Sequence, residues 1–148
     1  MDPIALLEKD HRTVEQAFKK FENAGTDKEK QQIAQQIIAD LRVHTMIEEE
    51  IFYPVTRRKL DPEGKEMVAE GFEEHHVIKM LMDELDQMRS MSQQFEAKMT
   101  VLQENVEHHV EEEEGELFPE AKKSLGDRAD AIGDKMARRK EELTARAK

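Results

Sequence analysis

Apolar residues recur every three or four positions along most of this chain, the spacing of one helix face. A few polar residues interrupt each stripe. Leu7, Val14, Phe18 and Phe21 form the first, with His11 standing where another apolar member belongs. Asp2 and Pro3 supply its N-cap and first-turn proline. Asn23-Ala24-Gly25 ends it, with Gly25 expected in a left-handed turn. Thr26 and Glu29 suit a capping box for a second helix. Its stripe reads Ile33, Ile37, Leu41, His44, Glu48, Ile51, Val55, so a His and a Glu hold core positions. Pro54 is expected to kink or thin its last turns.

Asp61-Pro62 restarts the chain as a cap and first-turn proline, followed by Val68, Phe72, His75, Ile78, Met82 and Leu85 on one stripe. Ser90-Met91-Ser92 is the expected break. The fourth stripe, Leu102, Val106, His109, Glu113, Leu117, again carries a His and a Glu and is expected to stop near Pro119. Gly126-Asp127 opens a last segment with Ile132, Met136 and Leu143. This segment is expected as a shorter helix on the others or a frayed tail, with Gly133 weakening it. The expectation is an all-α, up-down-up-down four-helix bundle over residues 1–123 and a short C-terminal helical extension over 124–148.

The layout repeats. His11 and His44 stand 33 residues apart, His75 and His109 34 apart. Each half is a helical hairpin with a lone His on its first helix and His-x-x-x-Glu on its second. Residues at i and i+4 share a helix face, so two facing hairpins would bring four imidazoles and two carboxylates to one level of the core.

Composition narrows the chemistry. With 39% charged and 5% aromatic residues the chain suits helices better than sheets. A net charge of −11 leaves no basic face for nucleic acid. The absence of Cys excludes disulfides, iron–sulfur clusters and thiol catalysis. The N-terminus is charged too early for a secretory apolar region and no run is long enough to span a membrane. A cytoplasmic protein, monomeric or a weak homodimer, with no nucleic-acid or membrane partner is therefore expected.

Buried ionised carboxylates are strongly unfavourable without partners, and no Lys or Arg shares these seams to pair with both. One alternative is a metal-free hydrogen-bonded network; the other is a cation or two. Imidazole with carboxylate suits iron, manganese or zinc. Six donors exceed one tetrahedral ion and suit a pair bridged by Glu48 and Glu113.

The order His11, His44-x-x-x-Glu48, His75, His109-x-x-x-Glu113 resembles the haemerythrin-like HHE cation-binding family. The phrases Asp10-His11-Arg12, Glu48-Glu49-Glu50-Ile51-Phe52-Tyr53-Pro54, Glu73-Glu74-His75 and Glu112-Glu113-Glu114-Gly115-Glu116-Leu117-Phe118-Pro119 carry the likeness over about residues 4–123. It implies two iron ions with an oxo or hydroxo bridge, held by His11, His44, His75 and His109 as terminal ligands and bridged by Glu48 and Glu113. It also implies small-molecule partners: O2, hydrogen peroxide or NO.

Two positions depart from the oxygen-carrying members. Lys79 stands where they have a fifth His, and Glu113 lies four after its His where they have an Asp five after, with Glu114 the lesser substitute. The departures favour redox chemistry, catalase-like peroxide disproportionation included, over reversible carriage. An iron or oxygen sensor read by a partner is the alternative. Tyr53 is a candidate further ligand or donor, although an ideal helix puts it opposite His44 unless Pro54 turns it. His76 is expected to be semi-buried beside the site and His108 solvated. Glu49, Glu50, Glu111 and Glu112 are expected as surface charge, and Met82 as core filler.

Overall fold

A computed structural model describes residues 1–147 as helices and their links. The elements are α1 (Pro3–Asn23), α2 (Asp27–Ile47), α3 (Tyr53–Arg57), α4 (Pro62–Gln87), α5 (Gln93–Glu112), α6 (Phe118–Leu125) and α7 (Ala129–Ala147). One π turn, Glu48–Phe52, joins α2 to α3 and another, Glu113–Leu117, joins α5 to α6. Four rods result, the second and fourth each bent at a π turn, in the expected up-down-up-down bundle.

The ends follow from local chemistry. Asp2, Thr26, Asp61 and Ser92 each accept a backbone N–H of the following first turn. Glu29 closes only half of the expected capping box: its carboxylate accepts from Gly25 N at 3.4 Å rather than from Thr26. Gly25 is not left-handed, because Ala24 already leaves α1 in an extended conformation. Among the described residues the one positive φ, +51°, belongs to Gly126, which ends α6.

The two prolines act alike. In an unbroken α-helix the ring of Pro54 or Pro119 would press on the carbonyl four residues back. Here the preceding turn widens, and Tyr53 N–H bonds the Glu48 carbonyl while Phe118 N–H bonds that of Glu113. Pro119 therefore bends the fourth rod without stopping it, and the helix runs on to Leu125.

Two apolar clusters fill the bundle. One contains Leu7, Ile47, Phe52, Val68, Leu117 and Met136; the other contains Phe18, Ile37, Ile78, Met82, Met99 and Leu102. Between them lies a buried polar layer of His11, His44, Glu48, His75, His109 and Glu113.

Of the two expectations for the last segment, the shorter helix lying on the bundle is the one observed. α7 has 19 residues and buries Met136 and Leu143 against the first hairpin. Gly133 permits the approach: a Cβ there would stand 1.8 Å from the Met1 carbonyl oxygen. Met1's amino group reaches Asp134 at 3.1 Å. Gly133→Ala is expected to force the N-terminus off α7 at about 1–3 kcal/mol, the usual penalty of overpacking, read as a lower thermal midpoint.

Candidate metal centre

Four rods deliver six donors to one layer. α1 places His11, α2 His44, α4 His75 and α5 His109, while Glu48 and Glu113 are the first residues of the two π turns. All six are buried, Glu48 and His75 completely. They form two groups that could each hold a metal ion: His11, His44, Glu48 and Glu113 (position one), and Glu48, His75, His109 and Glu113 (position two). Within each group one ligand atom per residue lies within 4.8 Å of the others.

The shared carboxylates face both ways. Glu113 Oε1 is 3.2 Å from His11 Nε2, and its Oε2 is 3.3 Å from His109 Nε2. Glu48 Oε1 lies 3.3 Å from His44 Nε2 and 3.0 Å from His75 Nε2. His75 Nε2 and His109 Nε2 approach to 3.1 Å. Neighbouring imidazole nitrogens this close need a proton or a cation between them.

Each imidazole is held from behind. The Nδ1 of His11 meets Glu114 at 2.7 Å, that of His44 meets Asp10 at 3.0 Å, that of His75 meets Glu49 at 2.7 Å and that of His109 meets Glu74 at 2.6 Å. A carboxylate on one ring nitrogen fixes the tautomer and aims the other nitrogen inward as a ligand. Of five buried side-chain atoms without a hydrogen-bond partner among the described residues, all but Thr56 Oγ1 belong to this layer. His11 Nε2, His44 Nε2, Glu48 Oε2 and Glu113 Oε1 are buried without a hydrogen-bond partner. A metal pair would give each of them one.

Without metal the layer holds protons instead. Burial opposes charging His44, but the Glu48 charge and the Asp10 hydrogen bond outweigh it and push its pKa up to about 10. His75 and His109 are raised against the same burial, His75 mainly by hydrogen bonding to Glu48 and His109 by the charge of Glu113. Burial would lift Glu48, yet the neighbouring His44 charge holds it well below the ordinary carboxylate range. Metal and protons therefore compete for the same nitrogens.

Tyr53 reaches the layer because the π turn rotates it there. It is fully buried; its hydroxyl donates to Glu113 Oε2 at 2.6 Å and lies 3.4 and 3.3 Å from the Nε2 atoms of His75 and His109. Gly71 leaves it room, since a Cβ there would stand 2.8 Å from the hydroxyl oxygen. Burial, then the charges of Glu48 and Glu113, raise its pKa well above the usual phenol value. Phe118, its counterpart in the second half, stacks on His11 at 5.8 Å. The two positions are thus unlike: only position two has a phenol.

Several expectations need correction. Glu49 is not surface charge but the partner of His75, and Glu114 backs His11 rather than replacing Glu113. His76 is exposed, whereas His108 is exposed as expected. Lys79 does not face the layer; its Nζ lies 2.8 Å from Glu49. Asp10 and Glu74 are the other two partners of the histidines, and the repeat carries a signal for all four carboxylates. An acid immediately precedes each lone His, and another immediately follows each seam Glu.

Comparison with known proteins places the chain in a family and supports its fold. The family model for the Hemerythrin HHE cation binding domain matches residues 2–121. An uncharacterized hemerythrin-like protein of Schizosaccharomyces pombe is 27% identical over 119 residues, 80% of this chain and 59% of that protein. A DNA nickase of Nostoc sp. is 26% identical over 120 residues, 81% of this chain and 33% of that protein. The chain thus spans only part of each. Among solved structures, a hemerythrin HHE cation binding domain-containing protein of Mycobacterium kansasii superposes with a TM-score of 0.82. It is 21% identical, over 98% of this chain and 88% of that one, a likeness of fold.

Proposed function

The chain belongs to the haemerythrin HHE cation-binding family, and on that footing we propose that it holds two iron ions with an oxo or hydroxo bridge and reacts with hydrogen peroxide. The observation that carries this reading is the sharing of both Glu48 and Glu113 between two four-donor groups. A single ion would leave two of the six donors, a pair of histidines, idle. When bound, a pair of irons supplies one- and two-electron redox chemistry that no side chain offers.

The residues supply the rest. His11 and His44 terminate position one, His75 and His109 position two, and the two glutamates span them. Tyr53 orients Glu113 at position two, acting as a donor rather than a ligand. Val14, Leu41, Ile78, Val106 and Val110, with the four histidines, line a cavity of about 20 Å³, roughly the space of one water-sized molecule. So small a space suits ligands of a few atoms, such as peroxide, O2 or NO. The apolar wall keeps bulk water from the metal face.

Iron analysis followed by an oxygen-electrode assay with hydrogen peroxide tests the proposal. Two irons per chain and prompt oxygen evolution, lost in Glu48→Ala and in His109→Ala, are expected. Uptake of iron with no turnover and a reversible colour change under O2 would replace peroxide disproportionation with carriage.

A further inference from the structure

Three of the four carboxylates behind the histidines are themselves met by a cation. Arg12 reaches Glu114, and Lys79 reaches Glu49, both from within the bundle. The third cation comes from α7. Lys140 Nζ lies 2.5 Å from Asp10 Oδ1, while Asp10 Oδ2 lies 3.0 Å from His44 Nδ1. Glu74, which takes the matching place beside His109, meets no Lys or Arg among the described residues; beyond His109 itself, His108 Nε2 lies 3.6 Å away. Asp10 and Glu74 thus take corresponding places in the two halves, and α7 supplies a cation to one of them only.

The anchoring of α7 leaves Lys140 little freedom. Met136 and Leu143 are buried on either side of it. The neighbouring Arg139 makes two hydrogen bonds to Glu50, at 2.8 and 3.1 Å. Asp10 and Asp40 line one narrow groove with Lys140. Without the ammonium group the two carboxylates would be left facing the same groove, and Asp10 could swing away from His44.

The geometry assigns Lys140 as a positioning residue of the metal centre: by pinning Asp10 it aims His44 at position one, which makes the C-terminal helix a working part of that position alone. The assignment rests on the di-metal reading above. A carboxylate behind a ligating imidazole sets its orientation and basicity, and losing such a partner typically weakens metal binding about 10–100-fold. A lysine that fixes the carboxylate acts through it.

The test uses the full chain, stripped of metal, titrated with ferrous iron under anaerobic conditions, with release into a chelator followed afterwards. Lys140→Met is expected to weaken one iron about 10-fold while the other keeps its native affinity, so that release gains a fast phase. Lys140→Arg restores native release. Asp10→Asn reproduces the loss, and combining it with Lys140→Met adds little, as expected of two residues acting in series. Lys140 is 40% exposed in its side chain, so the metal-free variant should fold, which circular dichroism checks. Native release from Lys140→Met, or equal weakening of both irons, overturns the assignment. If the native chain takes up no iron, the di-metal reading falls and carries this one with it. Two native irons with unchanged release in the variant would sink the positioning role alone.

Discussion

Glu48→Gln is expected to empty both metal positions, whereas His11→Ala empties one. Glu48 is completely buried and belongs to both donor groups; His11 belongs to position one only. Gln preserves the shape and removes the charge, so each position loses an anionic donor at once. The loss of iron affinity should exceed the roughly 10–100-fold produced by removing outer partners. Iron per chain, measured after desalting, should fall from two to below one in Glu48→Gln and to about one in His11→Ala. Glu113→Gln should behave as Glu48→Gln does. Two irons retained in Glu48→Gln would show that the carboxylates are not shared.

Removing the metal should lower the thermal midpoint, and the drop should grow with pH. In the metal-free fold, His44 titrates at about 10 against roughly 6.5 when unfolded. Its raised pKa contributes stability that is fully present below about 6.5 and lost as the pH climbs toward 10. His75 and His109 shift in the same direction. The loaded fold behaves oppositely, because a nitrogen bound to metal takes no proton while the unfolded histidines do. Its stability therefore rises as the pH climbs through 6.5. The two curves diverge between about pH 5 and 9. An ion present at a thousand times its Kd stabilises by about 4 kcal/mol, and a domain of this size gains about 2–4 °C per kcal/mol. For two ions the gap should be about 15–30 °C at pH 8 and much smaller at pH 5.5. Calorimetry of loaded and stripped protein at both pH values checks this, and a gap that shrinks as pH rises would overturn it.

The six donors were legible because each interrupts an apolar stripe at a core position, and burial makes such interruptions conspicuous. Asp2, Thr26 and Asp61 were legible for a similar reason, since cap chemistry is local. The partners of the histidines were not, for a geometric reason. Asp10, Glu49, Glu74 and Glu114 sit one residue off the seam, where an ideal helix points a side chain outward. Each reaches a histidine on another rod, so the contact exists only once the rods are packed. Pro54 announced a distortion but not its form. The same distortion brings in Tyr53, which helical periodicity alone had placed opposite His44. Lys140 lies 130 residues from Asp10, and no local pattern connects them.

Sharing Glu48 and Glu113 also makes the centre a clasp between the two hairpins. Position one takes Glu113 from the second hairpin, and position two takes Glu48 from the first. Severing the chain in the short link between α3 and α4 would leave two fragments, neither owning a complete donor set. The apolar clusters would still draw the fragments together, and a bound metal would then act as a latch between the two leaves, tightening a reunion that packing alone begins.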